Sequence, residues 1–205
     1  DLIINESWKI KSARRQAAFR LLNKAEFQCR TLDDTEELAG LLAEFSDHPG
    51  RVVSGLSELL INAVEHGNLE ISYDQKTQLM TSGEWRQEIE RRLASATYRA
   101  RLVRVSVNRE ANRTVYVIKD EGRGFDASKY MSFDPERATD VHGRGIAMSK
   151  LMSFTSLEYV GNGNKVIAAI ERNPQPFRQH QQTQVFDLRL PQRGIDRKRL
   201  HRAGF

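Results

Sequence analysis

A single cysteine, Cys29, stands among 205 residues. That excludes an internal disulfide framework and predicts a reducing, cytoplasmic setting. No apolar run approaches the length that spans a bilayer, and no signal peptide opens the chain, so no membrane segment is expected. The chain also lacks a GxxxxGK[ST] phosphate loop, a GxGxxG turn between a strand and a helix, and any His/Cys cluster at metal-ligand spacing. The commonest nucleotide motifs and the zinc modules are therefore set aside, and no internal repeat is visible. Charge of one sign is missing from most of the chain as well. Residues 171–205 hold eight Lys/Arg and three Asp/Glu, and the rest carries 24 of each sign, so the net charge of +5 belongs to the tail. A body without net basic charge argues against nucleic-acid binding.

What is present, 39% hydrophobic and 29% charged residues, suits one α/β core with extensions. Residues 8–24 are basic with a modest apolar stripe. Such a helical connector packs on the domain, pairs with a second copy in a homodimer, or continues from an upstream module; the residues leave the three open. Ala25–Arg30 alternates as a strand with Phe27 and Cys29 on one face, and Thr31 stands where a helix N-cap belongs. Leu38, Leu41, Leu42 and Phe45 stripe the helix that follows, and His48-Pro49-Gly50 ends it.

In the next helix Val52, Val53, Leu56, Leu59, Leu60, Ala63 and Val64 form a buried face, beside a polar stripe of Glu58, Asn62 and Glu65 at i, i+4 and i+7. Residues 70–102 carry Trp85, Ile89 and Leu93 at four-residue spacing, which predicts a helix within 84–101 with one narrow apolar stripe, packed on the core or, as the second reading, offered to a partner. Strands over 103–107 and 115–118 flank a polar turn, 108–112. The second delivers Asp120 into a glycine loop, 120–126 (DEGRGFD), able to wrap closely around a ligand. Residues 127–141 have no steady period and read as a loop. Gly143-Arg144-Gly145 then opens a helix-like run, 146–152, whose N-terminus suits an anion such as phosphate. Strands over 157–160 and 165–170 flank a GNGN hairpin turn. The tail, 171–205, is polar and glutamine-rich, with an edge-strand pattern only over 185–190.

Three of these stretches, ELLINAVEHG (58–67), DEGRGFD (120–126) and HGRGI (142–146), occur in one order. Together they resemble the N box and two glycine boxes of the Bergerat-fold (GHKL) ATP-binding proteins, most of all the bacterial anti-sigma-factor serine kinases. The resemblance covers residues 25–170 and implies an α+β fold, a two-layer sandwich whose mixed sheet is covered on one face by helices. By resemblance Glu58 is the general base, Asn62 the magnesium ligand and Asp120 the acceptor for the adenine amine. Gly122, Gly124, Gly143, Arg144 and Gly145 frame the ATP, the loop over 127–141 is its lid, and His66 matches a common residue that contacts ATP or simply packs beside Gly67. Residues 70–102 are longer than the family's usual connection, so they are an insertion. Glu65 stands where relatives carry a basic residue, and it reads as a solvated polar residue.

The implied cofactors are ATP and Mg2+. The implied partner is a STAS-type anti-anti-sigma protein phosphorylated on serine, with a sigma factor or similar regulator bound as well. Relatives often follow receiver and phosphatase modules in one chain, and the basic connector and non-methionine start fit that expectation. Two other readings stay open: a nucleotide-gated module that sequesters a protein without phosphoryl transfer, and a histidine-kinase catalytic domain. The last would need a phosphoacceptor histidine on a helical hairpin, and His48, next to a proline, suits that role poorly.

Overall fold

The computed structural model describes Phe19, residues 21–126 and residues 152–172. In chain order these form β1 (Lys24–Cys29), α1 (Leu32–Ala43), α2 (Pro49–Asn62), a π-helical turn (Ala63–Asn68), α3 (Tyr73–Ser82), α4 (Trp85–Ala94), β2 (Val103–Arg109), β3 (Arg113–Lys119), β4 (Ser156–Val160) and β5 (Lys165–Glu171). The strands make one sheet in the order β1-β2-β3-β5-β4. Every described pairing is antiparallel, so the parallel pair of a mixed sheet does not occur among the described residues. The α+β class stands.

Period-two alternation gives the sheet its two faces. Val105 lies between Phe27 and Ile118 across the ladder, and Val107 between Ala25 and Tyr116. These side chains join Leu42, Val52, Leu56 and Leu60 of α1 and α2 in one buried cluster. The other face carries exposed Lys24, Glu26, Gln28, Arg104 and Asn108.

Local chemistry sets the helix ends. Thr31 Oγ accepts from the Asp34 amide at 3.1 Å while Asp34 accepts from the Thr31 amide at 2.8 Å, a capping box that opens α1. That amide bond is the main reason the Asp34 carboxyl lies below its ordinary pKa. Pro49 sits in the first turn of α2, where its missing N–H costs nothing. Past the C-terminal end of α1, Arg109 donates to the carbonyls of Phe45 at 3.1 Å and Glu44 at 3.2 Å. A cation there also complements the helix dipole. The same guanidinium reaches the carbonyls of Phe19 and Leu22, and the Phe19 ring meets Phe45 edge-on at 6.1 Å. The described end of the connector thus packs on the domain.

Residues 70–102, the stretch expected to be an insertion, hold two helices where one is expected. The first, α3, opens with a second capping box, Ser72 with Gln75, and closes at Gly83 in a left-handed conformation. In α4, Ile89 is buried and Trp85 and Leu93 are partly buried against the core, as their spacing predicts. Glu65 departs from expectation. It is fully buried, accepting from Lys76 Nζ at 2.6 Å and from the Trp85 indole at 2.7 Å. Its acceptor-hungry partners come from the insertion, which folds back over the stripe that would otherwise face water.

Candidate functional site

Helix α2 and the turn after it form one wall of a cavity of about 430 Å³. The end of β3, the glycine loop and β4–β5 form the other. Of the predicted site residues, Asn62, His66, Asp120 and Gly124 line it. Glu58 adjoins it through Asn62, whose Nδ2 donates to Glu58 Oε1 at 3.1 Å. Their spacing of four places both on one side of α2. Gly143, Arg144 and Gly145, the lid over 127–141 and all of the run 146–152 except Met152 lie outside the described residues, as does the tail beyond 172.

Asp120 is placed by bonds on every side. Its amide donates to Asn164 O at 3.0 Å, and its Oδ1 accepts from the Gly122 amide at 2.8 Å. The side chain lies so close to Gly67 that a Cβ there would stand 2.4 Å from the carboxyl carbon, and a Cβ on Gly122 would stand 2.3 Å from the Gly67 carbonyl oxygen. Glycine at both positions lets the α2 side and the loop touch. Asp120 is only 9% exposed. Burial pushes its carboxyl up to about 6, against the opposing pull of the Gly122 amide. With Oδ1 occupied by Gly122, Oδ2 is the oxygen left to accept from a ligand amine.

The π-helical turn, closed by the Leu69 amide on Val64 O at 2.9 Å, carries His66 and Gly67 to this contact. His66 Nδ1 approaches Ile71 O at 2.5 Å. A carbonyl only accepts, so Nδ1 bears the proton. Burial lowers the imidazole pKa and keeps the ring neutral, which makes Nε2 an acceptor, and that buried atom has no partner. His66 therefore both packs, with its ring 4.2 Å from Tyr73, and offers an acceptor on a cavity-lining residue.

Sequence reasoning missed four contributors. Asn68 Oδ1 accepts from the Glu121 amide at 2.7 Å and fastens the loop to the turn. Phe125 and Tyr159, rings 5.0 Å apart, form an apolar wall of the cavity. Glu70 holds a left-handed backbone, φ 55, at the cavity lining. Asn68, next to the N box, and Phe125, inside the first glycine stretch, had a signal within reach; Glu70 and Tyr159 had none.

No group of three His, Cys, Asp or Glu able to hold a metal occurs among the described residues. Asn62 nevertheless fits a shared magnesium ion: with its Nδ2 turned to Glu58, its amide oxygen is left for a hard cation that takes its remaining ligands from phosphate and water.

A sheet backed by helices, with a buried carboxylate and a helix-borne amide lining one nucleotide-sized cavity, is an arrangement suited to an ATP-binding α+β domain. Residues 13–170 match the family described as histidine kinase-like ATPase domain, and the chain belongs to that family. No curated protein matches the chain. No helix among the described residues is long and apolar enough to cross a membrane.

Proposed function

We propose that this ATPase-family domain is a serine kinase of the anti-sigma-factor type, acting on a STAS-type anti-anti-sigma protein and able to hold a sigma factor or similar regulator. The observation that carries this reading is the Glu58–Asn62 pair, a carboxylate 3.1 Å from an amide at the edge of the nucleotide cavity. Transfer requires a group to orient and deprotonate the attacking hydroxyl. The serine Oγ bonds to the γ-phosphorus of ATP, the bond from that phosphorus to the bridging oxygen breaks, and ADP leaves. Glu58 takes the serine proton. Asn62 holds Glu58 in place by its amide N–H and offers its oxygen to magnesium, which neutralises phosphate charge when bound. Asp120 orients the adenine by accepting from its amine. His48, whose backbone precedes Pro49 at the start of α2, remains a poor phosphoacceptor.

Labelled ATP incubated with purified STAS proteins tests this. The wild type should place phosphate on a partner serine. Glu58→Gln keeps the shape but not the proton acceptor, so ATP affinity should hold while transfer falls by roughly 100-fold or more. A wild type that binds ATP, leaves every such partner unmodified and changes its grip on one with nucleotide would be a nucleotide-gated module instead.

A further inference from the structure

We propose that Arg123 is a ligand of the ATP polyphosphate, resting loosely against Glu70 beside the cavity until nucleotide arrives. The inference rests on the ATP-binding reading and adds a residue to it. Arg123 is the one Lys or Arg among the described residues that line the cavity, whose other charged lining residues are the carboxylates Glu70 and Asp120. A polyphosphate entering beside the Glu70 carboxylate needs a cation, and guanidinium suits phosphate oxygens in a bidentate fork.

The backbone of Arg123 is fixed while its side chain is free to swing. Asn162 Nδ2 donates to its carbonyl at 2.8 Å, and the next residue, Gly124, takes φ 79, where a Cβ would stand 2.1 Å from Asn162 O. The side chain itself is 88% exposed and meets Glu70 Oε1 at 3.5 Å. A pair so long and so open to water is worth little, so a polyphosphate of higher charge displaces it readily. Glu70 does not lose its compensation when Arg123 leaves. The same Oε1 accepts from Arg101 Nη1 at 3.0 Å, and that guanidinium is anchored on Asn68 O at 2.8 Å.

The backbone of Glu70 supports a functional role. Its φ of 55 is a conformation that glycine adopts without strain and glutamate does not. A strained non-glycine residue persists where the surroundings over-determine it, and such residues gather at ligand sites. Here the side chain supplies what glycine could not, a carboxylate facing two arginines.

Calorimetry with Mg-ATP and with adenosine on the full chain tests the assignment. Arg123→Ala should lower ATP affinity on the order of tenfold and leave adenosine affinity unchanged. Arg123→Lys should retain most of the ATP affinity. Glu70→Gln, which still accepts from Arg101, should raise ATP affinity, and the rise should be smaller in the Arg123→Ala background, where only the repulsion between Glu70 and phosphate is relieved. Equal ATP affinity in wild type and Arg123→Ala overturns the assignment, and so does an equal loss for ATP and adenosine, which would mark a disturbed loop. A wild type that binds neither ligand overturns the ATP reading beneath it.

Discussion

Helix α2 buries Val52, Leu56, Leu59 and Leu60, whereas α3 buries none of its residues and α4 only Ile89. Residues 70–102 add to that small apolar contact a set of polar contacts centred on the turn that carries His66 and Gly67 and on the two residues after it. Lys76 and Trp85 grip Glu65, Arg92 Nη1 donates to Leu69 O at 2.7 Å, and Arg101 grips Asn68 and Glu70. One region rests mainly on non-directional apolar burial, the other on a thin apolar contact through Ile89, Trp85 and Leu93 supplemented by directional bonds. The difference has a consequence for the site. The sheet and α2 fix where the cavity is, while the insertion fixes the shape of its most irregular wall.

The largest effects should come from the apolar side. Leu56 is fully buried, and Leu56→Ala should cost about 2–5 kcal/mol, lowering the denaturation midpoint of the whole domain. Glu65→Ala leaves the Lys76 ammonium, 18% exposed, and the Trp85 indole without their acceptor, which should cost about 3 kcal/mol. That loss should fall on one region. Amide exchange should rise across 73–94 while β2 and β3 stay protected. Exchange that rises in β2 and β3 to the same degree would erase the contrast between the two regions.

Asp120 gives the next largest effect, and its direction follows from burial. Its folded pKa of about 6 lies above the ordinary value of 3.8, so the folded state binds the proton more tightly. The stability it contributes is fully present below pH 3.8 and is lost as pH rises through about 6. The change is roughly 2–3 kcal/mol. Other carboxyls, such as that of Glu88 held at about 2 by Arg91 and Arg92, act in the opposite sense. The measurable quantity is therefore the wild-type stability minus that of Asp120→Asn, which should fall between pH 4 and 7. Adenosine binding, which favours the ionised carboxylate, should weaken in the wild type below about pH 6. An adenosine affinity that is flat with pH, or equal in Asp120→Asn, would remove Asp120 from the base subsite.

The two regions differ as much in how they can be read from sequence. In the sheet and the first two helices the signals are local: valines at alternate positions in β2, Thr31 three residues before Asp34, Pro49 after a turn. Asn62, Asp120 and the glycines around Asp120 came from motif order, and the cavity joins Asn62, Asp120 and Gly124. The insertion yielded less. The apolar stripe of α4 was visible, but α3 has no buried face, and its one sign, Ser72 with Gln75 three residues on, is a cap without a stripe. Glu65 read as solvated because its partners stand 11 and 20 residues further along the chain. The left-handed backbone of Glu70 has no sequence signature at all, since the residue that would announce it is glycine.

The smallest effect offers the finest test, because Arg91 and Arg92 share one acceptor and differ only in what else they touch. Glu88 accepts from Arg91 at 2.6 Å and 2.7 Å and from Arg92 at 2.7 Å. Arg91 points into water with 65% of its side chain exposed, whereas Arg92 is 12% exposed and continues to Leu69 O. If ion pairs alone held the insertion, losing either arginine would matter equally. If the bond to Leu69 is what counts, Arg92→Ala should cost about 1.5–2 kcal/mol, the low end of the range for a hydrogen bond from a charged group, and should raise exchange at the amides of 69–71. Arg91→Ala should leave the denaturation midpoint unchanged, since an exposed pair on a helix surface is screened by solvent and the remaining arginine keeps Glu88 compensated. Equal shifts in the two variants would mean that charge within α4, not its grip on the cavity wall, holds the helix pair in place.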